Sequence, residues 1–312
     1  ADQGPAAPTE TAVETPSPPR EPRRGLSRFV AATALALVAG LATVWWTLRP
    51  GDDPLSSRCV ALATALAERQ RSDGGFSGIP HAPVTGWDTA QQLAGLRRAE
   101  AGCGAPVGDA AGRASARLTT LRVPGGWAGA GRAPLVVATA WAALAGMDGA
   151  VDDLRAAQNP DGSFGWAPGE PGHPYATTHA LLALPPGPAA SAAAGWIVAE
   201  PRIHDIAGLD EEAFVALHRH GALVPGAAAA LRERIRARCG DAACTVGQDA
   251  ELPVPGGVVV TQWLPWAALA TSLLGDDALH AAVRARLAAT EVSSPGFVLG
   301  ERLWVFGALT TP

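Results

Sequence analysis

The sequence predicts an all-α fold: an α/α-toroid of about six helical hairpins, preceded by one transmembrane helix. Three observations carry this. A loop of the form Gly-x-aromatic recurs at intervals of about 44 residues, the mark of a repeat architecture. Helical runs closed by Gly or Pro flank each copy. Residues 29–48 form an unbroken run without a charge.

Residues 1–28 are rich in Pro, Ala, Thr and Glu. They have too little apolar surface to fold and read as a disordered cytoplasmic tail. The run Phe29–Leu48 follows, "FVAATALALVAGLATVWWTL". At helical rise it reaches roughly 30 Å, the thickness of one bilayer core. Arg20, Arg23, Arg24 and Arg28 precede it, and Arg49, Asp52 and Asp53 follow it. The positive-inside rule places the tail in the cytoplasm and the rest outside the cell membrane. Trp45 and Trp46 then sit at the outer interface. A cleaved signal peptide ending near Gly40 or Ala42 is the alternative; the long tail and the continuing apolar run favour a retained single-pass anchor. The lipid bilayer is thus a partner through 29–48. Residues 49–55 form a linker, and 56–312 form the toroid.

The toroid's runs come in pairs. Arg58–Gln70 and Trp87–Gly102 make the first hairpin, Gly112–Leu121 and Pro134–Met147 the second, Gly149–Gln158 and Tyr175–Leu184 the third. Residues 188–199 with 208–220, 226–239 with 261–274, and 276–290 with 301–310 make three more, with a long loop inside the fifth. One hairpin cannot bury both faces, but a closed ring of two layers can. Alanine-rich composition favours helix throughout. The net charge of -5, with all basic residues Arg, argues against a nucleic-acid partner.

The loops align as Gln70-x-x-x-Gly74-x-Phe76, Leu121-x-x-x-Gly125-x-Trp127 and Gln158-x-x-x-Gly162-x-Phe164. Asp-Gly in the first and third favours a tight turn with positive φ. The Gln amide can bond backbone groups left open at the preceding helix end. The aromatic packs back on the outer layer. "SPGF", Ser294–Phe297, reads as a worn copy. These loops are clasps, and nothing in them requires a substrate.

Four cysteines lie beyond the membrane run: Cys59, Cys103, Cys239 and Cys244. An even number outside the membrane invites disulfides. "CGDAAC" can close locally as Cys239–Cys244, leaving Cys59 and Cys103 to pair. A metal site is the alternative, but no zinc-ribbon spacing is present.

The pattern Gln-x-x-x-Gly-x-Trp/Phe between two helices resembles the QW motif of the prenyltransferase and squalene-cyclase repeat superfamily, which includes the terpenoid cyclases. "WDTAQQLAGL", "ATAWAALAG" and "TTHALLAL" look like the helices that follow that motif. The resemblance covers roughly residues 55–312. It implies that the first helix of each hairpin is outer and the second inner, with inner helices starting at one rim of a central cavity. The rim candidates are then Asp88, Thr139, His179, Asp210, Gln262 and Trp263.

The family's chemistries were sought at these positions. No Asp-x-Asp-Asp protonating motif exists; Asp210-Glu211-Glu212 is the nearest acidic cluster. There Asp210 reads as a helix cap, and the glutamates as charges offsetting the helix dipole. Asp241-x-x-Cys244 is out of register for the zinc-binding Asp-x-Cys of prenyltransferases, and no thiolate matches His179. No Cys-x-x-Gln thioester string occurs. With aromatics at 5%, few rings remain to line a carbocation cavity. Two carboxylates facing across the ring could serve a hydrolase, with Asp88 and Glu211 as the pair. The catalytic candidates are therefore Asp88, Asp210 and Glu211, with no metal and no cofactor.

The expectation is a membrane-anchored, extracytoplasmic, non-catalytic toroid that binds a protein or a small apolar ligand. The alternative is a divergent terpenoid cyclase-like or prenyltransferase-like enzyme acting on an isoprenoid. A centre filled by Trp141, Trp263 and Trp304 would favour an interaction role over a substrate pocket.

Overall fold

The computed structural model describes residues 53–79, 81–129, 131–206, 208–239, 250–254, 257–289 and 296–311. The tail, the run at 29–48 and Cys244 lie outside them. No described helix is long and apolar enough to cross a membrane.

The described chain is mostly helical. The helices are α1 (Pro54–Glu68), α2 (Gly86–Cys103), α3 (Gly108–Thr120), α4 (Val136–Leu144), α5 (Ala150–Ala157) and α6 (Pro174–Ala183). Then come α7 (Pro188–Ala199), α8 (Leu209–Arg219), α9 (Ala227–Cys239), α10 (Trp263–Leu273), α11 (Asp277–Ala289) and α12 (Gly296–Thr310). A 3-10 turn, Pro201–Asp205, precedes α8. Two short antiparallel hairpins interrupt the pattern: β1 (Arg122–Val123) with β2 (Gly126–Trp127), and β3 (Ala250–Val254) with β4 (Gly257–Thr261). The second replaces much of the long loop expected between 239 and 261. Helix α12 also starts earlier than expected, so Gly296 and Phe297 open a helix and do not form a loop.

Burial separates two kinds of helix. In α6 every residue is buried, and α8 is buried from Leu209 to Leu217. In α1 only Leu55, Cys59, Leu62, Ala63 and Leu66 are buried, one stripe at helical spacing. In α11 the stripe is Leu279, Val283 and Leu287. The buried helices touch in sequence, α2 to α4, α6, α8, α10 and α12, and α12 packs back on α2. The cycle of contacts therefore closes.

That closure is tight because both helices carry glycine at the crossing. A Cβ at Gly95 would overlap the carbonyl oxygen of Gly300, and one at Gly102 would overlap that of Gly307. The surface helices α3, α5, α7, α9 and α11 each pack on the buried helix just before them. Helix α1 packs on both α2 and α12. Except at α1, the close hairpins thus run from buried helix to surface helix, not across the clasp loops as expected.

The clasps explain the spacing. Gln70 Nε2 donates to Gly74 O at 2.9 Å and to Ala110 O at 2.8 Å. Gln158 Nε2 donates to Gly162 O at 3.0 Å and to Ala189 O at 2.8 Å. Each amide therefore ties its loop to the next surface helix, and not to the end of the helix before it. Asp73 and Asp161 close the turns by accepting from Gly75 N and Ser163 N. Gly74 and Gly162 have φ of 84° and 89°, and a Cβ at either would strike the backbone of that next helix. The buried aromatics Phe76, Trp127 and Phe164 fill the core side. In the second clasp, at Gly125, Leu121 supplies no amide and β1 pairs with β2 instead.

Cys59 and Cys103 form a disulfide between α1 and the end of α2. Cys239 is also disulfide-bonded.

Candidate functional site

The buried helices bring one polar and aromatic cluster together. Gln91 comes from α2, Trp141 from α4, Tyr175 and His179 from α6. Glu212 comes from α8, Trp266 from α10, Glu301 and Trp304 from α12. Helix α6 delivers its pair because "PYATTHALLA" has no polar face and buries all round. Positions 175 and 179 are one turn apart, so both rings share a side.

His179 Nδ1 lies 3.0 Å from Glu212 Oε1 and 3.2 Å from the carbonyl oxygen of Tyr175. Its ring stands 4.2 Å from that of Tyr175 and edge-on to Trp141 at 5.4 Å. Trp304 packs against Trp141 at 6.4 Å and Trp266 at 5.7 Å. Glu301 accepts from Trp266 Nε1 and from Gln91 Nε2. Burial pulls the His179 pKa down, but the adjoining Glu212 carboxylate, with Glu301 behind it, carries the net shift upward. Tyr175 is pushed well above its ordinary value by burial, then by the charges of Glu301 and Glu212. Among the described residues, His179 Nε2, Tyr175 Oη and Trp141 Nε1 have no hydrogen-bond partner.

A carboxylate on one imidazole nitrogen and a free second nitrogen is an acid–base arrangement. Access decides against its use from solution. His179 is 0% exposed, Glu212 1%, Tyr175 1% and Glu301 2%.

The anticipated rim residues scatter among other tasks. Asp88 lies behind the N-cap of α2: Thr85 Oγ1 accepts from Asp88 N at 2.9 Å and donates to its Oδ2 at 2.8 Å. Burial raises the Asp88 pKa against these hydrogen bonds. Thr139 belongs to a clasp, accepting from Trp127 N at 3.2 Å. His179 lies in the cluster. Gln262 accepts from Arg302 Nε at 3.0 Å. Trp263 Nε1 donates to Glu211 at 2.7 Å, and Arg238 lies over its ring.

All three acids lie in the first turn of α8, as the dipole reading expects, but Asp210 is not the cap. Gly208 is the N-cap of α8, without a side-chain bond. Asp210 instead accepts from Arg234 Nε at 2.6 Å and lies 2.9 Å from His204 Nδ1. Glu211 and Glu212 are buried, where burial lifts the Glu211 pKa against the pull of Arg238. Asp88 and Glu211 bond different groups, Asp88 to Thr85 and Glu211 to Trp263 and Arg238. No three His, Cys, Asp or Glu side chains among the described residues could hold a metal ion.

Sequence reasoning missed the roles of Tyr175, Glu212, Glu301, Gln91 and Trp266. The one available signal was the uninterrupted burial pattern of α6, which forces His179 inward. No protein-family model matches the chain, and neither does any curated protein.

Proposed function

We propose that the chain is a membrane-anchored, extracytoplasmic α/α-toroid that binds a ligand or partner and catalyses no reaction. The closed cycle of buried helices supports the toroid, and the repeated clasps support the resemblance to the prenyltransferase and squalene-cyclase repeat. The observation that carries the reading is the filled centre. Trp141, Trp266 and Tyr175 are at most 1% exposed and Trp304 is 9% exposed. The substrate cavity of an enzyme on this architecture would have to occupy the same space. Binding then falls to the outer surface, and 29–48 holds the domain at the bilayer. The test is incubation of the full chain with squalene and with isoprenoid diphosphates. Unchanged substrate is expected; turnover overturns the reading.

One observation favours the enzyme alternative. Glu212 stands beside Nδ1 of His179 and leaves Nε2 without a partner, as an acid–base residue would require. Under that reading His179→Gln abolishes turnover of an isoprenoid. Under the reading proposed, there is no turnover for it to abolish.

A further inference from the structure

An outer groove of about 180 Å³ runs between α7 and α9, with α8 as its floor. Ile197, Phe214, Leu217 and Leu231 line it, and Val198 and Val224 stand at its mouth. Those two are each 44% exposed. The described residues expose only one other large hydrophobic side chain, Ile79.

One part of the lining is polar and built. Asp210, with its side chain 9% exposed, sits behind two more exposed basic groups. It takes Arg234 through Nε and His204 through Nδ1. The guanidinium is thereby held with both Nη groups still free to donate. A side-chain exposure of 38% keeps these Arg234 donors at the surface. Asp210 offsets the Arg234 charge, so an occupant gains mainly from directed hydrogen bonds. Apolar walls beside a fixed guanidinium complement an amphiphile with an anionic head. The groove is small, which suits a short chain.

We propose that this groove binds a free short-chain carboxylate, its chain against Phe214, Leu217 and Leu231 and its head on Arg234. Asp210 is the positioning residue. The site rests on the binding reading above and gives it a ligand class.

The experiment is equilibrium dialysis of labelled hexanoate against the full chain in lipid nanodiscs, with empty nanodiscs as the blank. Saturable binding is expected, with hexanol and hexylamine weaker by at least about tenfold, because each lacks the charge-assisted pairing. Arg234→Gln should weaken hexanoate by a similar factor. Val224→Asp, a change at an exposed position, should do so by placing a carboxylate at the mouth. Equal binding of hexanol and hexanoate overturns the proposal. So does hexanoate binding that Val224→Asp leaves unchanged, or binding of anionic vesicles at these residues while hexanoate is inert. Any of these removes the site without touching the non-catalytic reading, which the turnover assay tests separately.

Discussion

The backbone N–H of Phe164 donates to the hydroxyl of Thr177 at 2.9 Å. Phe76 N makes the same bond to Thr89, and Trp127 N to Thr139, both at 3.2 Å. Each clasp aromatic is thus fixed by a threonine one turn into the following buried helix. Thr177 also donates back to Phe164 O at 3.1 Å, so the pair is closed in both directions. Thr177→Val keeps the shape and removes both bonds. It leaves a buried N–H without an acceptor, at a cost of about 1–3 kcal/mol. Thr177→Ser should recover most of that loss. Urea unfolding of the three proteins measures it, and a Val variant as stable as the parent would remove the clasp from the stability argument.

Glycine at the closing helix pair makes a second test. Gly102→Ala places a methyl against the backbone of Gly307, where nothing flexible can yield. The expected loss is about 1–3 kcal/mol. Gly195 lies on the exposed side of α7, with open space where its Cβ would stand. Gly195→Ala is expected to stabilise by roughly 0.5–1 kcal/mol through helix propensity alone. Opposite signs for two Gly-to-Ala changes, read from thermal unfolding, test the packing of α2 on α12 directly.

The two glycines and the three threonines show what was legible. Helix positions could be read because each surface helix keeps an apolar stripe and each clasp keeps Gly and an aromatic in register. Buried helices could be recognised because "PYATTHALLA" has no polar face to give solvent. The partners of the charged groups could not be read. Three consecutive acids at 210–212 point in three directions around α8, and helical spacing does not say which meets an arginine. Asp210 finds Arg234 on α9, Glu211 finds Trp263 and Arg238, and Glu212 finds His179. The two arginine pairings depend on which surface helix packs on which buried one, and the other two on the order of the buried helices. Clasp spacing alone suggested the wrong choice, since neighbouring surface helices carry equivalent stripes.

The disulfide Cys59–Cys103 closes a loop with a sequence separation of 44 and ties α1 to α2 beside the closing helix pair. Restricting the unfolded chain over that length contributes roughly 2–4 kcal/mol. Cys59→Ala with Cys103→Ala should lower stability by about that amount while keeping the helical circular dichroism signal. Cys59 is fully buried, so part of any loss will be packing. Comparing the double variant with the parent when both are reduced, so that the bond at Cys239 is open in each, isolates the packing part. If reduction leaves the denaturation midpoint unchanged, the crosslink contributes nothing.

The buried cluster fixes the direction of its own pH dependence. His179 has a folded-state pKa raised above its ordinary value of about 6.5. Its imidazolium stabilises the fold fully below that ordinary value. The contribution is lost as pH rises through the folded-state value. Glu211 and Asp88 act in the same direction for a different reason. Their folded-state pKa values are raised chiefly by burial, so ionising them costs the folded state as pH climbs past the ordinary carboxylate range. These three groups favour the folded state in mild acid over mild alkali, while His173 and His280, held below their ordinary value by burial, pull the other way over the acid part of that range. The test is therefore a difference: between about pH 5 and pH 9 the denaturation midpoint of the parent should fall more steeply, or rise less, than that of His179→Gln. Parallel profiles for the two proteins would show that Glu212 does not hold the proton on His179.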